Sequence, residues 1–340
     1  MQLKFYSYNL ELNEPFKISY GTRHFQPTLI VSISDGYFKG YGEAAATSYY
    51  GVSVEKMQKD IRTVEPLVIK NINKSPEEIW KLTWPKLKNN PFAQCALDIA
   101  LHDLNGKRCG KKLYQLWGLS IKNMPCTSFT IGMDSTENSI QKIKKMPWPI
   151  YKIKMGPKDD VDKIKELRKH TDSIFRIDAN ASWGVDETLS NAKALKELNV
   201  EFLEQPLKAD DWRGMAKLNK DCVLPIIADE SCIQESDVEK CAKYFNGINI
   251  KLTKCGGLTP AKRMIFKGKS LGLKTMVGCM TESTVGVSAI AHLLPLLDYV
   301  DMDGGLLIKN DVADGIKIHN GKIYFSEING MGVQLYEDQN

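Results

Sequence analysis

The sequence predicts a closed parallel barrel of eight strands behind an N-terminal α+β unit, and three observations predict it. Up to about residue 50 the chain alternates polar and apolar residues, as in "LIVSISDGYFKGYGEAA", the rhythm of antiparallel strands with one solvated face. Helical patterns then run to about residue 120. Beyond that, short apolar stretches alternate with helical segments. Charged residues at their ends recur at Lys154, Asp178, Glu204, Asp229 and Lys251, in steps of 24, 26, 25 and 22 residues. Each step is the length of one strand, one helix and two turns.

Taken in order, "SPEEIWKLTWPKLKNN" reads as a helix with Ser75 as its N-cap, and "PFAQCALDIALHDLNGK" has apolar residues recurring at three and four. The expected barrel strands are "CTSFTIG", "YKIKMG", "IFRIDAN", "VEFLEQP", "PIIADE", "GINIKL", "TMVGCM" and "DYVDMDGG". Helices such as "DDVDKIKELRKH" and "VDETLSNAKALKELN" lie between them. The expected division is an α+β unit over residues 1–120 and a barrel over 121–310.

With 340 residues, 43% hydrophobic and 26% charged, the composition is that of a globular protein able to bury a large core. The first twenty residues lack a basic start followed by an apolar run, and "VGVSAIAHLLPLL" is too short to span a bilayer. The expectation is a cytoplasmic protein with no membrane partner. Eight cysteines without a CxxC or a Cys/His cluster point to reduced, mostly buried thiols. The net charge of +5 comes from dispersed lysines rather than a basic tract, which argues against nucleic acid.

In such a barrel the C-terminal strand ends form one face, where active sites are built, so the five charges converge. Three adjacent acids, in "RIDAN", "FLEQP" and "IADES", would repel one another unless a cation sat among them. An all-oxygen set suits Mg²⁺, and the lack of a matching His or Cys argues against zinc. Alternation puts Lys152 and Lys154 of "YKIKMG" on one face. On an edge strand that pair would only guard against edge pairing; beside three acids it reads as chemistry. A metal can bind a substrate carboxylate and stabilise the charge that appears when the adjacent α-proton leaves. Lys154 on the second strand and Lys251 on the sixth then serve as bases on opposite faces, and proton transfer from one to the other through an enediolate inverts the carbon. A base lysine needs a pKa drawn toward neutrality. Lys152 is expected to help by its nearby charge and to touch the substrate carboxylate. Lys254, of opposite strand parity to Lys251, reads as structural.

Together, "KIKMG", "DAN", "EQP", "ADES", "NIKLTKCGG" and "ALDIALHDLNGKRCGKKLYQLWG" resemble the enolase superfamily, in its muconate-lactonizing-enzyme-like subgroup. The resemblance spans nearly the whole chain. It implies a (β/α)7β TIM-type barrel with an α+β capping domain completed by the C-terminal tail, about 311–340. Within the subgroup the sequence is most similar to the dipeptide epimerases, whose DxD after the last barrel strand holds the substrate ammonium; here it is Asp301 and Asp303 in "YVDMDGG". The resemblance also implies that Thr130 and Met280 line the site, with Glu282 near.

The implied partner is a small dipeptide, with one Mg²⁺ per subunit; homo-oligomer formation is left open. Family members acting on Ala-Glu carry a glutamate-binding Arg in the first cap loop, and alignment puts Gly21 there, with Arg23 two residues on. The cap loops also offer Tyr20, Phe25, Tyr49 and Tyr50, which favour a hydrophobic or small second residue. The alternatives are an epimerase of murein Ala-Glu, with Arg23 as the specificity residue, or another reaction of the subgroup such as o-succinylbenzoate synthesis or cycloisomerisation. A non-catalytic scaffold is the reading from another class. The ammonium-binding aspartate pair counts against the subgroup alternatives, and five charges together count against a scaffold.

Overall fold

The computed structural model describes residues 2–18, 21–157 and 161–338. Its first unit is an antiparallel sheet, β1 (Gln2–Ile18), β2 (Gly21–Ser34) and β3 (Lys39–Ala45), with β2 in the middle and an irregularity in the β1–β2 register between Glu11 and Phe16. Three helices follow, α1 (Val54–Lys70), α2 (Pro76–Leu87) and α3 (Pro91–Arg108). Ser75 caps α2 as expected, in a capping box with Glu78 that satisfies two otherwise unpaired backbone donors. α3 lies directly on β3, because a side chain at Gly40 or Gly42 would run into the backbone of Ala100 or Ala96. Leu29, Val31 and Ile33 of β2 pack with Ala96, Leu97 and Ala100 of α3 and with Ile61 and Val64 of α1.

After the one-turn helix α4 (Leu113–Leu116) the chain enters the barrel. Its eight parallel strands run in chain order: β4 (Phe129–Ile131), β5 (Ile150–Lys154), β6 (Ile174–Asp178), β7 (Val200–Glu204), β8 (Ile226–Ala228), β9 (Gly247–Ile250), β10 (Lys274–Gly278) and β11 (Tyr299–Asp301). A parallel bridge from Thr127 to Val300 joins the first strand to the last and closes the ring. The seven connections carry α5 (Thr136–Lys145), α6 (Val161–Arg168), α7 (Val185–Lys196), α8 (Trp212–Asp221), α9 (Val238–Cys241), the short α10 (Leu252–Cys255) with α11 (Leu258–Ser270), and α12 (Thr284–Ala291). All eight strands read from the sequence are present. The C-terminal segment returns to the first unit, where Asp338 accepts hydrogen bonds from Lys39 and Tyr41 and Leu113 donates to the Gly330 carbonyl.

Two buried acids join the first unit to the barrel. Glu43 of β3 accepts from Ser283 and Gly286 backbone N–H groups at the start of α12, and Asp98 of α3 accepts from the Thr259 N–H at the start of α11. Gly257 before α11 has φ +115°, and a Cβ there would collide with the Asp98 carboxylate. Among the described residues no helix is long and apolar enough to cross a membrane, and all eight cysteines are free thiols, four of them fully buried.

Candidate active site

The parallel register builds the site. Lys154 of β5 pairs with Asp178 of β6 and Asp178 with Glu204 of β7, so these three stand in one row at the barrel's C-terminal edge. Thr130, Lys152 and Arg176 form the row two residues below. Asp229 and Lys251 follow β8 and β9 by one residue. Just past the acids of β6 and β7 the backbone turns through left-handed Asn180 (φ 44°), Ala181 (φ 59°) and Gln205 (φ 36°), conformations that cost about 1–3 kcal/mol each and cluster at functional sites. Gln205, which the sequence marked only as part of a motif, holds the next strand end. Its Oε1 accepts from the Asp229 and Ser231 N–H groups at 3.0 Å each.

Four ammonium groups meet these acids. Lys152 Nζ lies 3.0 Å from Asp178 Oδ2, 2.8 Å from Glu204 Oε2 and 2.8 Å from Asp301 Oδ2. Lys154 Nζ donates to Asp178 Oδ2 at 2.6 Å and Lys251 Nζ to Asp229 Oδ2 at 2.6 Å. Lys254 reaches the acids by a different route. The strand stops before it, and one turn of α10 returns its fully buried Nζ to Asp229 Oδ1 and the Asp229 carbonyl, both at 2.6 Å, and to the Cys232 carbonyl. Parity along a strand therefore does not apply, and Lys254 holds the third acid of the row.

The charges follow from this pairing. Burial opposes ionisation of Asp178, but Lys154 and Lys152 overcome it and bring its pKa down to about 2; Asp229 is likewise lowered, by Lys251 and Lys254. Glu204 goes the other way, to about 7, through burial and the Asp178 charge. Burial alone would lower Lys251, yet Asp229 pushes it up, opposite to what a base requires; Lys152 is raised well above its ordinary value by Asp301, Glu204 and Asp178 against the same burial.

Above the row lies a cavity lined by Arg23, Thr130, Lys152, Lys154, Lys251, Met280, Asp301 and Asp303, so these eight expected site residues face one space. Ser128 donates to Asp301 at 2.9 Å, and Thr130 donates to Asp303 through both its N–H and its hydroxyl. Burial and neighbouring Asp301 raise Asp303 to about 7, while Lys152 draws Asp301 down against burial. Tyr49 and Tyr50 line the cavity; Phe25, expected to, lines the neighbouring outer cleft instead and is 53% exposed. Tyr20 lies outside the described residues. Glu282 is buried and accepts from the Met280 N–H without reaching the cavity. Asn180, Glu230, Gln26 and Thr47 also line it, polar residues that no spacing singled out.

The acid row fits a hard divalent cation. All its donors are oxygens on neighbouring strands, and the fully buried Glu204 Oε2 makes no aligned hydrogen bond, its charge being met by Lys152 Nζ at 2.8 Å. Among the described residues no three His, Cys, Asp or Glu side chains meet at ligand spacing as placed, because Lys152 stands between Asp178 and Glu204.

Residues 1–118 match the family model for the mandelate racemase / muconate lactonizing enzyme N-terminal domain, and residues 136–339 match the enolase C-terminal domain-like model. The chain belongs to the enolase superfamily, among its dipeptide epimerases. It is 53% identical to the L-Ala-D/L-amino acid epimerase of Flavobacterium johnsoniae, over 98% of this chain and all of that one. It is 54% identical to the epimerase of the same description from a Maribacter species, over 98% and 99%. Among solved structures, the dipeptide epimerase of Enterococcus faecalis, complexed with Mg and L-Leu-L-Tyr, superposes with a TM-score of 0.90 at 28% identity, over 98% of this chain and 99% of that one. The superfamily barrel and cap, and the isomerase class, are therefore those the sequence implied.

Proposed function

We propose that this epimerase inverts the α-carbon of the second residue of Ala-Xaa dipeptides, using Lys154 and Lys251 as its two bases. The observation that carries the reading is that both ammonium groups open on one cavity, each held by a different acid of the row, with the Asp301/Asp303 pair at the same space. Length agrees as well. Asp301 Oδ2 and Glu204 Oε2 each lie 2.8 Å from the same Lys152 Nζ, so the two anchoring points are less than about 6 Å apart, within the roughly 7 Å that two residues span.

Asp178, Glu204 and Asp229 are the residues that would hold Mg²⁺, one ion per subunit, and the ion would supply a fixed positive charge against which the substrate carboxylate can take up a second negative charge. Asp301 and Asp303, with Ser128 and Thr130 behind them, orient the ammonium. One lysine removes the α-proton, and the other returns a proton to the opposite face; the reverse direction exchanges their roles. Because Asp229 holds Lys251 protonated, release of that proton must accompany weakening of the Lys251–Asp229 contact. Tyr49, Tyr50, Ala45 and Met280 give the second side chain an apolar wall, which favours small or hydrophobic residues. Arg23 in the same wall, with no carboxylate partner among the described residues, supports Ala-Glu as the second reading. The same reading takes residues 1–120 with the tail 311–340 as the cap and 121–310 as the catalytic barrel.

Deuterium incorporation at the second α-carbon in D₂O, over Ala-Ala, Ala-Val, Ala-Phe and Ala-Glu, tests this directly. Exchange and epimer formation should require Mg²⁺, and Asp229→Asn should weaken Mg²⁺ binding in calorimetry. Lys251→Ala should stop epimerisation and leave exchange only from the enantiomer that Lys154 serves. Full turnover in metal-free protein, or normal epimerisation by Lys251→Ala, would refute the assignment.

A further inference from the structure

Two cavities meet at Arg23. The inner one is the site above, with about 140 Å³ of free volume. The outer one, about 740 Å³, lies across the cap loops between β1, β2 and the start of α1, and is lined among others by Ser7, Asn9, Phe25, Ser48 and Val54. Arg23, Ala46 and Thr47 line both. A small-molecule site ordinarily offers about 300–1,000 Å³, so the inner cavity alone holds a dipeptide backbone and a short side chain. Both backbone ends are fixed, one at the acid row and one at Asp301 and Asp303. Only the second side chain is free to leave.

The shared wall is the way out. Ala46 and Thr47 are small, and Arg23 is held softly, by hydrogen bonds to the neutral oxygens Gln26 Oε1 at 3.1 Å and Thr47 Oγ1 at 3.3 Å. A substrate oxygen offers the guanidinium an equivalent acceptor and can replace either. Beyond the wall, the exposed ring of Phe25 offers apolar surface for a ligand to cover.

We propose that Arg23 and Thr47 form a threshold across which a long second side chain passes, its far end lying in the outer cleft. The substrate class is Ala-Xaa in which Xaa is glutamine-like and extended by an amide-linked group from its side-chain carbonyl. That carbonyl oxygen stops at the threshold, where the Arg23 guanidinium donates to it. The inference rests on the dipeptide epimerase reading and deepens it.

The test uses the full-length Mg²⁺-loaded protein and a graded series, Ala-Ala, Ala-Gln, and Ala-Gln carrying a methyl or a butyl group on the side-chain amide nitrogen. The butyl compound should keep kcat/KM within about threefold of Ala-Gln, whereas a closed wall would discriminate by about a hundredfold or more. Ser48→Trp and Asn9→Trp, exposed positions on different elements, fill the outer cleft from two sides. In whichever of them folds, the ratio of kcat/KM for the butyl compound over Ala-Ala should fall by about tenfold or more. If Ala-Ala is epimerised but the butyl compound is excluded, or the ratio is unchanged in the tryptophan variants, the threshold is wrong and the reaction assignment stands. If no member of the series is epimerised, the reaction assignment falls and the threshold with it.

Discussion

At the barrel mouth Asp178, Glu204, Asp229 and Asp301 are buried against lysine ammonium groups, whereas at the seam between cap and barrel Glu43 and Asp98 are buried against hydroxyl and backbone N–H groups. The acids of both regions are buried, yet the two regions solve the cost of a buried charge differently. At the seam the donors are fixed. Glu43 accepts from Thr28 Oγ1 at 2.8 Å, Ser283 N at 3.1 Å and Gly286 N at 2.9 Å, at a helix start whose dipole favours an anion. At the mouth the compensating charges sit on long side chains, two of which face the cavity and are 13% exposed, so they can be exchanged for a metal ion or a substrate ammonium. The seam specifies one geometry. The mouth specifies a charge balance that ligands can redistribute.

The largest effect should come from breaking that balance. Lys152→Met leaves Asp178, Glu204 and Asp301 without the one cation that touches all three, and losing one partner of a buried pair costs about 3–5 kcal/mol. Urea unfolding in the presence of chelator should show a loss of that order, and Mg²⁺ should restore part of it. A variant as stable as the native protein in chelator would mean that the acids share charge some other way.

A smaller loss is expected at the seam. Glu43→Ala strands donors from Thr28, Ser283 and Gly286 and opens a cavity between β3 and α12, for about 2–4 kcal/mol. Here Mg²⁺ should restore nothing, and Mg²⁺ affinity measured by calorimetry on the folded variant should stay near that of the native protein. A large drop in Mg²⁺ affinity with stability unchanged would erase the distinction between the two regions.

The same distinction separates what the sequence made legible from what it did not. The acids of the row could be found because each occupies the same place in a repeating unit, and the period of about 25 residues is set by strand and helix geometry. For Lys254 the structural reading rested on a strand rule applied four residues beyond Ile250, where β9 ends; the chain had already turned into α10. Neither Glu43 nor Asp98 was singled out as a joint between the two units. An acid on an alternating strand or a helix looks solvated, and their partners lie about 240 and 161 residues away in sequence. Gln205 was visible only as motif, since its role depends on a left-handed backbone that a glutamine does not announce. Phe25 shows the converse limit: composition put it in a loop near the site, and only the structure puts it in β2, lining the outer cleft rather than the inner cavity.

Glu282 lies between the two regions and gives the smallest and most discriminating effect. Its Oε1 accepts from the Met280 N–H at 3.3 Å, next to the cavity, and it directly precedes Ser283, which Glu43 holds. Burial first, and the Glu43 charge second, raise its pKa from an ordinary 4.5 to about 8, with Lys251 the one cation opposing the shift. A carboxyl whose folded pKa lies above its unfolded value binds its proton more tightly when folded. The native protein therefore loses stability from this group as pH rises from about 4.5, and the loss is complete above about 8. Glu282→Gln keeps the acceptor for Met280 and cannot ionise. Its stability should match that of the native protein near pH 4.5 and exceed it at pH 8.5, read from urea midpoints across that range. If the two proteins instead kept parallel pH profiles, the Glu282 charge would already be balanced by Lys251, and the carboxyl would belong with the lysine-paired acids of the mouth rather than with Glu43 at the seam.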